Sequence, residues 1–205
     1  MPRDKTISHI RVNEAIRDEF LEKGFEGASI RSIGARAGMT SAGLYRHYPD
    51  KEAMFSAVVD PLIKEIKEWT GRHIELKYKI CEDKSKNEGL FGESFVDLVY
   101  EVILPRRKEF KLLICSSKGT KYENFVHEFV LENQNEILKA LKYLKKQGYP
   151  VKDIDKEELH LLLSAYITAY FEIIVHDYED KKLKEYMSTV QEFFMPGWMN
   201  IMGLD

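Results

Sequence analysis

The sequence predicts an all-α protein, and three observations carry that prediction. The prolines are Pro2, Pro49, Pro61, Pro105, Pro150 and Pro196, so the segments 3–48, 62–104, 106–149 and 151–195 contain none. These tracts are rich in Leu, Lys, Glu, Ala and Ile, the residues that lose least on entering a helix. Nowhere do apolar and polar residues alternate for long enough to specify a strand. About nine helices follow from the periodicity and the breakers.

The first runs over about 6–23, with Val12, Ile16 and Phe20 on one face, and stops at Gly24. Ser29 is a natural N-cap for a second over about 29–36 that ends at Gly38, and Thr40 caps a third of two turns at 41–47. Asp50 opens a fourth that reaches the upper 70s, with Pro61 expected to bend or interrupt it. Residues 82–90 are polar and aperiodic and read as a loop. Two helices at 91–104 and 106–117 are divided by Pro105. Thr120-Lys121-Tyr122-Glu123 has the form of a capping box and predicts a long helix from there to Gln147, closed by Gly148 and Pro150. Asp155 caps the eighth, over about 156–177, and the last covers 181–202 with an expected interruption at Pro196-Gly197.

The chain of 205 residues is long enough to bury an ordinary core. Its 44% hydrophobic and 12% aromatic content excludes a disordered chain. The longest run free of Asp, Glu, Lys and Arg is 159–171, shorter than the roughly 20 residues a bilayer span needs. No apolar stretch follows Met1-Pro2-Arg3-Asp4-Lys5 as a signal peptide would require. Two cysteines, Cys81 and Cys115, make no disulfide scaffold, and a reducing cytoplasm is the expected location. Cys115, within an apolar run, is expected to be a buried thiol. His73, His127 and His176 lack metal-ligand spacing, and no cofactor is expected.

The net charge is −3, but it is unevenly spread. Residues 27–51 hold Arg31, Arg36, Arg46 and Lys51 against Asp50 alone, a balance of +3, whereas the remainder carries 27 basic and 33 acidic residues, a balance of −6. A short helix, the tight link Ala37-Gly38-Met39-Thr40 and a two-turn helix within that window have the layout of a helix-turn-helix. Ile30, Ile33, Ala37, Met39 and Leu44 have the spacing to pack both helices on the first, and Gly34 and Gly43 allow close backbone approach. A confined basic face on such a unit suits contact with DNA phosphates.

From Ile10 to Phe55 the sequence resembles the N-terminal domain of the tetracycline-repressor (TetR) family of bacterial transcription regulators. The residues that carry the resemblance are Ala15, Phe20, Gly24-Phe25, Ser29-Ile30, Ile33, Ala37-Gly38, Gly43-Leu44-Tyr45-Arg46-His47-Tyr48 and Lys51-Glu52. Gly34 stands where the family usually has Ala, and Met39 where Val is common. The resemblance implies a DNA-binding domain over 1–50 and a helical ligand-binding and dimerisation domain over 51–205, with the helix from 51 as linker. It places Tyr45 and Lys51 on phosphates, Thr40 at the cap and backbone of the recognition helix, and Arg31 on a base edge. Ser41, Ala42 and Gly43 form a small-residue tip, which leaves sequence reading to Arg31, Arg46, His47 and DNA shape. Leu44 is expected in the core, Tyr48 as a packing residue, and Arg36 as a solvated charge.

Residues 159–176 are apolar nearly all the way round, and such a helix must be covered on every side. The last helix has a similar surplus. The resemblance implies that helices 156–177 and 181–202 pair with their copies, giving a homodimer that reads a near-palindromic operator. It also implies a pocket for an unidentified small-molecule effector, with Trp69, Phe91, Phe95, Tyr100, Phe110, Phe125, Phe129, Tyr166 and Tyr170 as candidate walls. The chain is thus expected to be a ligand-released repressor with DNA, a second copy and an effector as partners, and without a membrane partner. An enzyme is disfavoured, because no Gly-x-Ser-x-Gly, His-Glu-x-x-His or phosphate-binding glycine loop is present. The alternative is a helical protein-interaction module that does not bind DNA.

Overall fold

The computed structural model describes residues 5–82 and 93–204, which are helical with no strand among them. The α-helices are α1 (Lys5–Gly27), α2 (Ile30–Ala37), α3 (Ser41–Tyr45), α4 (Lys51–Glu82), α5 (Glu93–Leu98), α6 (Arg107–Cys115), α7 (Phe125–Lys146), α8 (Lys156–Val175) and α9 (Asp180–Met202). A π-helical turn, Val99–Ile103, and a 3-10 turn, Leu104–Arg106, join α5 to α6. Of the loop expected at 82–90, Glu82 ends α4 and 83–90 fall outside the described residues, as do Phe91 and the side chain of Cys81.

Three boundaries differ from expectation. Both α4 and α9 run through their prolines, Pro61 and Pro196, without a break. A proline removes one hydrogen bond of the helical ladder, and the length of apolar face buried on either side outweighs that loss. Residues 120–124 form turns, and α7 starts only at Phe125. The Thr120 hydroxyl accepts from Tyr122 N (3.0 Å) and donates to Ser117 O (2.6 Å), while Glu123 reaches back to Gly119 N (3.1 Å). The capping groups are therefore used to close a tight turn. Gly24 sits at φ 68°, ψ 172° and kinks α1 where the sequence placed its end.

The chain packs into two compact units, Met1–Glu68 with Val102–Phe125, and Trp69–Glu101 with Val126–Asp205. The division read from the sequence ran between residues 50 and 51; packing puts Lys51–Glu68 and α6 with α1–α3. In the first unit Ile16, Phe20, Ile33, Leu44, Met54, Phe55, Phe110 and Leu112 have no exposed surface. Phe20 and Phe55 meet edge-on, ring centroids 5.1 Å apart, and Phe25 and Tyr122 extend the stack. The second unit closes round Leu159, Tyr170, Ile174, Leu183 and Met187. Asp155 caps α8 by accepting from Glu157 N (2.9 Å) and Glu158 N (3.1 Å), and Gly203, left-handed at φ 72°, caps α9.

Candidate nucleic-acid interface

The helix-turn-helix is held by caps that the sequence announces. Ser29 Oγ accepts from Ser32 N at 3.1 Å, and Thr40 Oγ1 accepts from Gly43 N at 3.0 Å. Gly38 ends α2 at φ 67°, ψ 33°, a conformation that costs a glycine nothing. At Gly34 a Cβ would lie 2.8 Å from Met39 O, the carbonyl of the residue whose N–H donates to Gly34 O. The alanine usual in the related family would therefore have to push the α2–α3 turn outward here. Val12, Ile16, Ile33, Ala37 and Leu44 are buried as their spacing predicts, while Ile30 and Met39 are half-buried.

With that core fixed, Arg31, Thr40, Ala42, Tyr45, Arg46 and His47 are exposed, and Ser41 and Gly43 partly so. Tyr45 shows half its surface (50%), a large aromatic placed outward beside cations. Tyr48 is instead buried and donates to Asn13 Oδ1 (3.2 Å), which makes it the packing residue expected. Lys51 has another partner than the one expected of it. Its ammonium donates to Glu26 O (3.3 Å) and Ala28 O (3.2 Å) and lies 4.6 Å from the centre of the Phe25 ring. It thus ties the start of α4 to the end of α1, with one of three donors left for a phosphate.

Arg36 is exposed, as expected, but it is not without partners: its guanidinium forks onto both carboxylate oxygens of Glu22 (2.9 and 2.5 Å) and pairs with Glu19 at 3.2 Å. Glu19 is wholly buried, and its carboxylate accepts from Ser29 N, Ser32 Oγ and Lys23 Nζ. Burial pushes the Glu19 carboxyl up, but the Ser32, Lys23 and Ser29 donors together hold it below its ordinary value. Glu19, which ties α1 to the cap of α2, is a position that sequence reasoning missed. Its only signal is an acidic residue beside the inward-facing Phe20, ten positions before the Ser29 cap.

Two further residues of α1 reach the same face. His9 and His47 have ring centroids 6.2 Å apart, and Arg11 Nη1 lies 3.7 Å from the Cβ position of Gly38. Both are exposed. A charge window counted along the chain cannot find them, because the fold brings them from outside it. Cys115, expected to be buried, is exposed at the end of α6; Leu112 and Leu113 take the inward positions of that turn.

The candidate ligand walls divide between the units. Phe95, Phe129, Tyr166 and Tyr170 come together, with the Phe95 centroid 6.1, 5.7 and 5.1 Å from the other three. Phe171, Phe194 and Trp198 join them. The hydroxyls of Tyr166 and Tyr170 are buried without a well-formed hydrogen bond, and burial pushes both up. Trp69 stacks on His73 at 3.4 Å and donates its indole N–H to Glu101 (2.7 Å). Tyr100 is half-buried, and burial together with the Asp180 charge pushes its hydroxyl up. Phe110 and Phe125 belong to the first unit, where they meet edge-on at 6.4 Å.

Residues 13–58 match the family described as "Bacterial regulatory proteins, tetR family". The chain is 24% identical over 140 residues to the HTH-type transcriptional repressor KstR2 of Rhodococcus jostii (strain RHA1), a match over 67% of this chain and 65% of the relative. The chain thus spans slightly less than two thirds of the length of that curated relative. The fold is similar to the TetR family transcriptional regulator PfmR from Thermus thermophilus, with TM-score 0.55 and 18% identity over 89% of this chain and 97% of that one. It is also similar to the fatty acid degradation regulator FadR from Bacillus halodurans, with TM-score 0.56 and 15% identity over 93% and 95%. With its caps, its left-handed Gly38 and its outward cations, the matched segment 13–58 is a helix-turn-helix similar to the DNA-binding domain of the tetR family.

Proposed function

We propose that the protein is a cytoplasmic homodimeric repressor that leaves a near-palindromic operator when a small-molecule effector binds. The observation that carries this reading is the outward presentation of Arg31, Tyr45, Arg46 and His47 over a buried Ile33–Ala37–Leu44 core. Arg31 reads a base edge, Tyr45 and the free donor of Lys51 hold phosphates, and Thr40, Ser41 and Ala42 sit closest to the groove. His9 and Arg11 add backbone contacts from α1. Repression follows the relative whose name states that role.

Leu161 on α8 and Phe193 on α9 support the dimer, being 70% and 79% exposed. By length and composition α8 is also the one helix among the described residues that could cross a membrane, and less than half of it is buried. A second copy covers that surplus while leaving the charged first turn of α8 in water. The aromatic group around Phe95, with two buried hydroxyls that lack a well-formed hydrogen bond, is the effector site. An effector preferring another packing of these helices shifts the population of dimers whose recognition helices span one DNA turn. Mobility shifts at several salt concentrations test the reading. Affinity must fall steeply as salt rises; a chain indifferent to DNA at low salt would instead be a protein-interaction module.

A further inference from the structure

The first unit contains a cavity of about 600 Å³ whose walls include none of the aromatic group and none of the helix-turn-helix residues. It is lined by Arg17 of α1, Glu65 of α4 and the run Leu104–Glu109, which brings Arg106, Arg107 and Lys108 to it. Four cations therefore face two carboxylates in one concavity, within a chain whose net charge is −3. Both carboxylates are already engaged. Arg17 Nη1 donates to Glu109 at 2.9 Å, and Arg106 Nε donates to Glu65 at 2.6 Å. Arg17 Nε is buried and makes no hydrogen bond, with the Asp18 carboxylate 3.9 Å away. Lys108 is exposed at the rim.

Like charges crowded in a concavity repel one another, and that repulsion is relieved when a counter-ion enters. The guanidinium fork matches the oxygen geometry of phosphate, and an ammonium beside it adds a point charge. We infer that the cavity bounded by Arg17, Arg106, Arg107 and Lys108 is a binding site for a small, multiply charged phosphate-bearing anion. The anion takes the donors of Arg17 in competition with Glu109, and Lys108 closes over it. Glu109 then acts as the internal competitor that sets affinity.

Titration calorimetry of the full chain with pyrophosphate at low ionic strength tests this, with citrate and a short random DNA duplex as further arms. Saturable one-to-one binding is expected. Lys108→Glu should weaken it about fivefold or more, and Glu109→Gln should strengthen it about threefold, in line with what partly exposed ion pairs contribute. A gain from Glu109→Gln cannot come from a damaged fold. The inference is overturned if no saturable heat is seen, if neither substitution changes it, or if citrate binds as tightly as pyrophosphate. It is overturned too if Lys108→Glu costs DNA affinity as much as Arg31→Ala does, since the cavity would then be part of the DNA surface.

Discussion

In the first unit the side chains turned outward at the helix-turn-helix include Arg31, Tyr45, Arg46 and His47; in the second, the large apolar side chains most exposed are Leu161 and Phe193. The interiors differ as well. The first unit buries a carboxylate, Glu19, and the polar Ser116, Ser117 and Thr120, with Glu19, Ser117 and Thr120 in hydrogen bonds. The second also buries a bonded polar group, Gln134, which donates to Lys156 O, but its Tyr166 and Tyr170 hydroxyls lack good partners. A buried polar group that is fully bonded fixes one arrangement, whereas an unbonded one raises the energy of the packed state. On the proposed reading, the bonded polar groups lie in the unit that carries the DNA-facing helices, and the poorly bonded hydroxyls lie at the proposed effector site.

The sharpest way to break this comparison is at the apolar surface. Fully burying a Leu or Phe side chain contributes about 1.5–3 kcal/mol, and each occurs twice in a two-fold interface. Leu161→Glu with Phe193→Glu is expected to give monomers in sedimentation velocity and to reduce operator affinity more than any single change in the DNA-facing unit. If the unaltered protein is itself a monomer at high concentration, the outward apolar residues do not mark a dimer.

At the DNA face, Arg31→Ala should cost about 1–3 kcal/mol on operator and relax base preference. Lys51→Ala should weaken all DNA alike and also lower the melting temperature, because Lys51 joins α1 to α4. Equal losses on operator and random duplex for the Arg31 variant would remove it from base reading.

Glu19→Gln should destabilise by about 1–2 kcal/mol through its lost charge-assisted hydrogen bonds. Its folded value is lowered, so its contribution is complete above the unfolded value of 4.5 and is lost as pH falls through the lower folded value. Acid denaturation of the variant should accordingly be flatter than that of the parent below that pH. Matching curves would show that Glu19 is not the group concerned.

The smallest effect is expected at Tyr166→Phe. Removing a hydroxyl that bonds to nothing well should leave stability within about 1 kcal/mol, on the favourable side. A large loss in thermal melts would mean that the hydroxyl is satisfied in solution.

The helix-turn-helix was legible because its signals are local. Ser29 and Thr40 cap, Gly38 turns, and Ile33, Ala37 and Leu44 face inward, each within a few residues of the element it shapes. What was missed lies across the chain. Arg36 was expected as a solvated charge and Lys51 on a phosphate, yet the residues that engage them, Glu22 and the carbonyls of Glu26 and Ala28, lie 14 to 25 positions away. Thr120 had the right capping sequence, but Ser117 and Gly119 turned it to a tighter bend. Pro61 and Pro196 were read as breakers because propensity is local, whereas the helices around them are held by long buried faces.

By itself the sequence determined that the chain is helical, where the two helices of the helix-turn-helix are capped, and that Ile33, Ala37 and Leu44 are buried. Those properties follow from backbone preference and periodicity, which act over one or two turns. Only the tertiary structure decided which charges remain available. It paired Arg36 with Glu19 and Glu22, set Lys51 on carbonyls, brought Arg11 beside Gly38, and gathered Arg17 with Arg106–Lys108 round one cavity. Charge acts through space at distances of a few ångströms, and separation along the chain says little about it.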